Sequence, residues 1–560
     1  MSESFDLLIR GGTIVDGSGA PGRAGDVGIR SGRVAALGSV KGSAARTIDA
    51  TGCAVAPGFV DIHTHYDAQV FWDRMLSISP WHGVTSVVIG NCGFGIAPTR
   101  PAHRDLILRT LESVEGMSLD ALRAGVGSDW PFETFPEFLD AVDARGTAIH
   151  VAALVGHTPV RLYVMGEDAT EREATPHEVA QMQAIVRGAL AAGAIGFATS
   201  RAPTHVGYAG KPVPSRAASF AEVSALAGCL AEFDHGLLQA TVGRDLFIPQ
   251  LGEISQAIGK TVSWTALLQG LFGPDGHRRA LELNAKLQEQ GIDVVPQVSC
   301  RPLVLEFQFS APFPFESLSV FAPVSAADRE GKKRIYADPE WRARFRARAS
   351  EAALTRNWDA IAVSDCPGRP ELTERSIAAV AAERGVDPVD LMLDLALASD
   401  LEARFRMPVA NTDEAEVADL LRHPGTVLGL SDAGAHASQL CDACAPTHLL
   451  AHWVRETNVL SLEEGVRRLT SATADHFGLR ERGRIAVGLP ADVVVFDPDA
   501  VGCGPLRRVR DFPAGADRLV SDASGIRAVV VEGTPIREDG RDVVDPEGPL
   551  PGHVLRGGKS

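Results

Sequence analysis

The stretch Pro57-Gly-Phe-Val-Asp-Ile-His-Thr-His65 is an apolar run that ends in two histidines separated by one residue. Side chains at positions i and i+2 of a β-strand point to the same face of the sheet. If the run is a strand, His63 and His65 can therefore reach one metal ion together. One such pair is weak evidence by itself, but Cys92 and Asp432 stand at the ends of two other runs that have the character of strands.

Length and composition indicate a globular protein. The 560 residues are 45% hydrophobic and 22% charged, which is ordinary for a folded chain. The net charge of −17 disfavours binding to nucleic acid or to an anionic membrane. The eight cysteines are too scattered for a disulfide framework, and no apolar stretch is long enough to span a membrane. We therefore expect a cytoplasmic protein.

The two ends of the chain have the same pattern of short β-type runs broken by glycine-rich turns. This pattern predicts a small β-sandwich domain made from residues 1–57 and 481–560. Between them, over residues 58–480, apolar strands alternate with amphipathic helices, as in a parallel sheet. Two long connections, 93–147 and 300–360, are expected to be insertions of functional importance.

Eight runs in the middle segment have the composition of buried strands, which is the number that a closed (β/α)8 barrel of the TIM type requires. They are Val60–His65, Ser86–Cys92, Ile149–Gly156, Ile195–Ser200, Leu237–Val242, Val262–Leu268, Asp293–Ser299 and Val427–Asp432.

The carboxyl ends of barrel strands meet at one mouth, so polar residues at those ends should be neighbours in space. Two imidazoles, a carboxylate and a thiolate suit Zn²⁺, which accepts N, O and S ligands and activates water for attack on an amide. Asp432 is placed to take the proton from that water and to pass it to the leaving amine. The residues at the strand ends are His63, His65, Cys92, His157, Arg201, Arg301 and Asp432.

Each of these residues also has an ordinary structural interpretation. A free cysteine such as Cys92 is often a small buried apolar group. Asp432 could cap the helix that follows it. His157 and His436 could be satisfied core or loop histidines rather than groups that touch a substrate.

Several stretches in combination resemble the amidohydrolase superfamily and, within it, the N-acyl-D-amino-acid deacylases, or D-aminoacylases. Gly90-Asn-Cys-Gly93 is the stretch that narrows the resemblance to the deacylases. The others are Asp6–Gly17, Pro57–His65, Leu154–His157, Gly429–Asp432 and Gly488–Val495.

The resemblance implies a (β/α)8 barrel with a β-sandwich from both termini, a zinc site, and removal of an acyl group from a D-amino acid. It implies that His63 and His65 are metal ligands, that Cys92 is a thiolate able to bridge two metals, and that Asp432 is the catalytic base. The chain departs from the family at strands five and six, which lack the expected histidines, and at strand four, which lacks a lysine found in related hydantoinases.

These departures favour a single Zn²⁺ held by His63, His65 and Asp432, with Cys92 or His157 as a further ligand. We expect Gln239 and Trp264 to line the site in place of the missing histidines.

The carboxylate of an N-acyl amino acid calls for an arginine in the barrel mouth. Arg301 is the first candidate, followed by Arg201 and Arg216, although each could instead pair with a protein carboxylate. The partner is then a small-molecule amide. A cyclic amide, ester or carbamate would suit the same chemistry, and a barrel that has lost turnover would serve as a scaffold. A homo-oligomer is compatible with the predicted terminal domain.

Overall fold

The computed structural model describes residues 4–316, 318–351 and 358–559. The predicted segments 1–57, 300–360 and 481–560 each include a few residues that lie outside these ranges. None of the described helices is long and apolar enough to cross a membrane.

The strands belong to four sheets. In chain order they are β1 Ser4–Ile14, β2 Arg23–Arg30, β3 Arg33–Gly38, β4 Ser43–Asp49, β5 Ala54–Pro57, β6 Phe59–Asp61, β7 Val84–Ile89, β8 His150–Gly156, β9 Gly196–Ser200, β10 Leu237–Thr241, β11 Val262–Thr265, β12 Val294–Val298, β13 Leu303–Gln308, β14 Ala362–Asp365, β15 Arg404–Ala410, β16 Val427–Leu428, β17 Val493–Phe496, β18 Gly502–Val509, β19 Arg518–Ser524, β20 Ile526–Val531, β21 Thr534–Glu538 and β22 Arg541–Asp542.

Most of the helices lie between these strands. They are α1 Arg104–Glu115, α2 Leu119–Val126, α3 Phe135–Arg145, α4 His157–Met165, α5 Pro176–Ala192, α6 Phe220–Gly228, α7 Ile248–Ile258, α8 Gly276–Glu289, α9 Ala322–Ser325, α10 Arg329–Ala337, α11 Pro339–Glu351, α12 Ile377–Arg384, α13 Pro388–Ala398, α14 Glu414–Arg422, α15 Ala445–His448, α16 Leu462–Leu469 and α17 Ser471–His476.

One sheet contains β6 to β12 and β16, in chain order, and every neighbouring pair is parallel. Each of its eight strands overlaps one of the predicted runs. The first and last strands are joined just beyond their carboxyl ends. There the amide of His65 donates to the carbonyl of Ala433 at 2.7 Å, and the amide of Asp432 donates to that of His63 at 3.1 Å.

The two ends of the chain share a second sheet of nine strands, in the order β22-β21-β20-β17-β5-β1-β2-β3, with β4 paired to β1. Its central contact is the antiparallel pairing of β17 with β5, in which Val495 lies opposite Val55. Alternate residues of this sheet, such as Leu7 and Ile9 on β1, pack into a separate apolar core. The chain then returns to the parallel sheet, where Val554 pairs with Val151.

Residues 303–410 form a unit with its own aromatic core, built on the antiparallel sheet β13-β15-β14 and helices α9 to α13. The two ends of this unit are tied together by Asn411, whose side-chain amide donates to the carbonyls of Ser299 and Arg301 at 3.0 and 3.2 Å. The insertion predicted over residues 300–360 is therefore only the first part of the unit. The unit continues because β15, which pairs with both β13 and β14, comes from residues 404–410.

The connection over residues 93–147 folds into α1, α2 and α3. Helix α1 ends at Glu115 because the next residue, Gly116, has a φ of 62° and turns the chain out of the helix. Gly116 packs against the backbone of His436. A Cβ atom at position 116 would lie 3.4 Å from the Cα atom of His436. The end of α1 is therefore held next to the segment that follows β16.

A buried ion cluster joins the terminal sheet to the parallel sheet. Asp492, just before β17, lies 3.2 Å from Nε2 of His150 at the start of β8 and 3.0 Å from Nε of Arg482. Its Oδ1 also accepts the amide of Glu532 at 2.9 Å. Burial alone would raise the pKa of Asp492, but the charges of His150 and Arg482 hold it to about 2.

We expect Asp492→Asn to lower the free energy of unfolding by about 3 kcal/mol at pH 7, because it removes the nearer anion from the buried Arg482 and leaves only the carboxylate of Glu532, 3.8 Å away. The folded-state pKa is below the ordinary value of about 3.9, so the contribution is complete above about pH 4 and is lost as the pH falls towards 2. Chemical denaturation of both proteins from pH 7 to pH 2 measures this. A difference that stays constant over this range would contradict the assignment.

Candidate metal centre

Three loops at the carboxyl ends of the parallel strands supply the polar residues. His63 and His65 follow β6 in extended backbone, held by the bond from the Thr64 amide to the carbonyl of Val88. Cys92 follows β7 in a tight turn and has a left-handed φ of 56°. Asp432 follows β16, also with a positive φ. The turns aim these side chains at a common point.

The four side chains approach one another closely. Nε2 of His63 lies 3.4 Å from Sγ of Cys92 and 3.3 Å from Oδ1 of Asp432. Nε2 of His65 lies 3.7 Å from the same oxygen. The ligand atoms of His63, His65 and Cys92 are all within 4.8 Å of one another, and they are the group of three metal-type ligands found in the described part of the chain.

Polar side chains contact these ligands on their outer side. Nδ1 of His63 is 2.7 Å from Oε1 of Gln297, on β12. Nδ1 of His65 is 3.2 Å from Oε1 of Glu115, at the end of α1. Both histidines therefore use Nδ1 for an outer contact and present Nε2 to Asp432. The amide of Cys92 donates to Oε1 of Gln239 at 2.7 Å.

The charges in the cluster compensate one another. Burial raises the pKa of the Cys92 thiol, but the charges and hydrogen bonds of His63 and His65 bring it down to about 7. Burial also opposes ionisation of Asp432, yet the hydrogen bond from His65 and the neighbouring imidazoles hold its pKa well below the usual range. The pKa of His65 is raised by Glu115 and Asp432, against the effect of burial. The imidazoles and the acidic groups around them therefore stabilise each other's charged forms.

The donor set fits a zinc ion. Zinc takes N, S and O ligands at about 2.0–2.3 Å in a tetrahedron, which places neighbouring donor atoms about 3.4 Å apart. The observed separations of 3.3, 3.4 and 3.7 Å have this size. The side chains of His63 and His65 are 1% and 6% exposed and that of Asp432 is 22% exposed, so the open side of the cluster is the side of Asp432.

Two predicted lining residues have different roles. Gln239 lies inside the sheet, where it holds the backbone of Cys92. The indole of Trp264 points to the other side of β11, packs on Phe247 and donates to Oδ1 of Asn284 on α8 at 3.0 Å. The expectation that Trp264 lines the site is not met, because its side chain belongs to the contact between the sheet and the helices.

His157 is also directed away from the cluster. Its Nδ1 is 2.8 Å from the hydroxyl of Thr199 and its Nε2 is 2.9 Å from Glu222, which in turn pairs with Arg161. Burial lowers the pKa of His157 despite this carboxylate. The residue is a satisfied structural histidine rather than the further ligand that the sequence suggested.

Two of the predicted carboxylate-binding arginines are already paired. Nε of Arg301 is 2.7 Å from Oδ1 of Asp442. Arg201 forms a two-pronged pair with Asp245, and its remaining donors bond backbone carbonyls that include that of Ala218. Neither guanidinium is free to bind a substrate in this conformation.

Three further residues near the cluster, His436, Glu115 and His205, do not stand at the end of a predicted strand. His436, which was predicted, is close enough for its charge to lower the pKa of Asp432 and Glu115. Glu115 itself and His205 were not predicted, since one ends a helix in a long insertion and the other lies in an irregular loop after β9. Only the knowledge that these loops fold back over the strand ends could have indicated them.

Parallel strands that deliver two histidines, a cysteine and an aspartate to one point at their carboxyl ends define this chain as a metal-dependent hydrolase. The model of the Amidohydrolase family matches residues 46–243 and 325–537. The chain belongs to this family.

Relatives cover nearly the whole chain. The D-aminoacylase of Alcaligenes xylosoxydans xylosoxydans is 30% identical over 96% of this chain and 96% of its own length. A crystal structure of a D-aminoacylase superimposes with a TM-score of 0.68 at 27% identity, covering 98% of this chain and 99% of the other. The N-acyl-D-glutamate deacylase of Bordetella bronchiseptica, solved with zinc and a phosphonate inhibitor, gives a TM-score of 0.66 at 28% identity and covers 99% and 100%.

Glu115→Gln is expected to weaken zinc binding about 10- to 100-fold, because it removes the charge that orients His65 and raises its basicity. Competition with a chromophoric chelator measures the affinity. His65→Ala provides the comparison and should lose more, since it removes a ligand outright. Trp264→Phe is the control and should bind zinc as the unaltered protein does. An unchanged zinc affinity in Glu115→Gln would show that this carboxylate does not support metal binding.

Proposed function

We propose that this protein is a zinc-dependent deacylase that hydrolyses the amide bond of N-acyl-D-amino acids. The observation that carries the proposal is the convergence of His63, His65, Cys92 and Asp432. Nε2 of His63 lies 3.4 Å from Cys92 and 3.3 Å from Asp432, and Nε2 of His65 lies 3.7 Å from Asp432. The family and the two deacylases similar to this chain over almost their full length support the same reaction.

A zinc ion held by these residues would polarise the acyl carbonyl and make water a competent nucleophile at neutral pH. Asp432 is ionised at that pH because the imidazoles hold its pKa down. It can therefore accept the proton of the attacking water and then donate it to the nitrogen of the departing amino acid. Its partly exposed side chain is where the substrate reaches the cluster.

We propose that the eight parallel strands close into a (β/α)8 barrel. The bonds between the segments after β6 and β16 support closure at the carboxyl end. In such barrels the active site is formed by the loops at that end, and the cluster lies there. The cytoplasmic location and assembly into an oligomer stay predictions from the sequence.

We favour one zinc ion over two. The inner positions of β10, β11 and β12 carry Gln239, Ser263 and Gln297, which are neutral and already bonded to Cys92, to each other or to His63. Neutral amides and hydroxyls are poor zinc ligands compared with imidazole and thiolate. These strands therefore offer little to a second ion.

Purified enzyme should hydrolyse N-acetyl-D-amino acids faster than the L enantiomers, lose activity with a chelator, and regain it with Zn²⁺. Asp432→Asn should lower kcat about 10²- to 10⁴-fold because it removes the proton acceptor. Asp475→Asn, in an exposed pair with Arg484, is the matched control and should keep full activity.

The same assay includes a cyclic amide, an ester and a carbamate. Faster turnover of one of these compounds than of every N-acyl amino acid would show that the enzyme acts on that type of bond instead. No hydrolysis of any substrate in the zinc-loaded protein would leave a scaffold, and the deacylase proposal would be wrong.

Metal analysis of protein dialysed against a zinc buffer should give one tightly held ion per chain. The ratio should fall below one in His63→Ala and stay at one in Trp264→Phe, whose side chain lies on the other side of β11. Two tightly held ions per chain in the unaltered protein would refute the single-ion site.

A further inference from the structure

A deacylase of this kind must recognise a carboxylate on the amino acid, and the two arginines that the sequence placed first are engaged with Asp442 and Asp245. The recognising group should therefore be a cation near the mouth that lacks an acidic partner. Arg216 and Arg244 have this property. Among residues 4–316, 318–351 and 358–559, no carboxylate forms an ion pair within 4.0 Å of either guanidinium, whereas Arg201 and Arg301 each have one.

The environment of Arg216 is positive. Burial lowers the pKa of Arg216, and the neighbouring guanidiniums of Arg201 and Arg244 lower it further. Asp245 neutralises Arg201, since it binds both Nε and Nη2 of that side chain. Within 4.0 Å, no carboxylate of the described residues compensates the charges of Arg216 and Arg244. Such a pair of cations is favourable only if solvent or a bound anion stabilises it.

The loop after β9 holds Arg216 at the carboxyl end of the parallel sheet, because Nη1 of Arg201, directly after β9, donates to the backbone carbonyl of Arg216 at 2.8 Å. Nη1 of Arg216 donates to the carbonyl of His205 at 3.0 Å. The ring of His205 packs on Phe94, two residues after Cys92, at 5.1 Å, and its Nδ1 is 2.6 Å from the hydroxyl of Ser200 at the end of β9. The charges of His65 and Asp432 act on this ring. Arg216 is thus bonded to the backbone of a residue whose ring feels the charges of the cluster.

His205 does not compete for the anion. Burial lowers its pKa to about 4, so its ring is neutral at pH 7. The unpaired positive charge of this part of the mouth therefore belongs to Arg216, which is half-buried and held by a backbone carbonyl, and to Arg244, which follows β10 and is exposed. A guanidinium anchored in this way offers its other donors in a fixed fork, which matches a carboxylate.

We propose that Arg216, assisted by Arg244, binds the carboxylate of the amino acid substrate and sets the preference of the enzyme for anionic substrates. The inference rests on the deacylase activity proposed above. Arg216 contacts the bound substrate and keeps its carboxylate at a fixed place relative to the amide. Arg244 adds a second positive charge that the bound carboxylate offsets.

The test compares the best N-acetyl amino acid with its carboxamide, which has the same acyl group and side chain but no charge. Arg216→Gln should raise KM for the carboxylate about 10- to 100-fold, the range for loss of a charge-assisted hydrogen bond. Its kcat should change little, and kcat/KM for the carboxamide should stay within about twofold. Arg216→Lys should recover part of the preference, and Arg244→Gln should show a smaller rise in KM.

Both substrates are measured on the same variant, so a partly misfolded loop would lower both rates together. Arg187→Gln, on α5 in an exposed pair with Glu232, is the control for loss of a surface charge and should leave both KM values unchanged. An equal loss on both substrates, or no loss on either, in Arg216→Gln would overturn the proposal for this arginine. Absence of amide hydrolysis by the unaltered enzyme on both substrates would instead count against the deacylase function.

Discussion

Everything at the mouth of the parallel sheet depends on burying two imidazoles, a thiol and a carboxylate in contact with one another. A single ionised group in such a place would be strongly disfavoured by loss of water. Here each group is stabilised by its neighbours, which is why Cys92 ionises more readily and Asp432 remains an anion. The outer residues Gln297 and Glu115 extend this compensation to the far nitrogens of the imidazoles. The cluster is consequently prepared for a divalent cation before one binds.

The parallel sheet and the four residues of the cluster could be predicted from the sequence because both depend on local patterns. Apolar runs of strand length mark the eight strands, and polar residues at their carboxyl ends meet wherever such strands are arranged in chain order. The spacing of His63 and His65 works because the backbone stays extended beyond β6, as the pairing of Thr64 with Ala433 shows. These are short-range properties, and they survive without knowledge of the loops.

The errors concern side chains whose direction depends on register or on distant partners. Ser263 and Trp264 are adjacent on β11, so they must point to opposite faces. The hydroxyl of Ser263 accepts from Gln297 inside the sheet, which sends Trp264 outward to α8. The pairing of Gln239 with Ser263, rather than with Trp264, contains this information, but a sequence does not state the register. Likewise Arg301 is paired with a carboxylate 141 positions away, and no local pattern indicates that.

The position of Glu115 links two parts of the protein that would otherwise vary independently. It belongs to the long connection after β7, the kind of surface connection that often carries function, yet it contacts a histidine that follows β6. Grafting this connection from a relative to transfer its selectivity would also exchange the carboxylate behind His65. A chimera that lacks an acid there would inherit the donor's pocket together with a weakened hold on its cofactor. Any exchange of this connection must therefore keep an acidic residue in the last turn of α1.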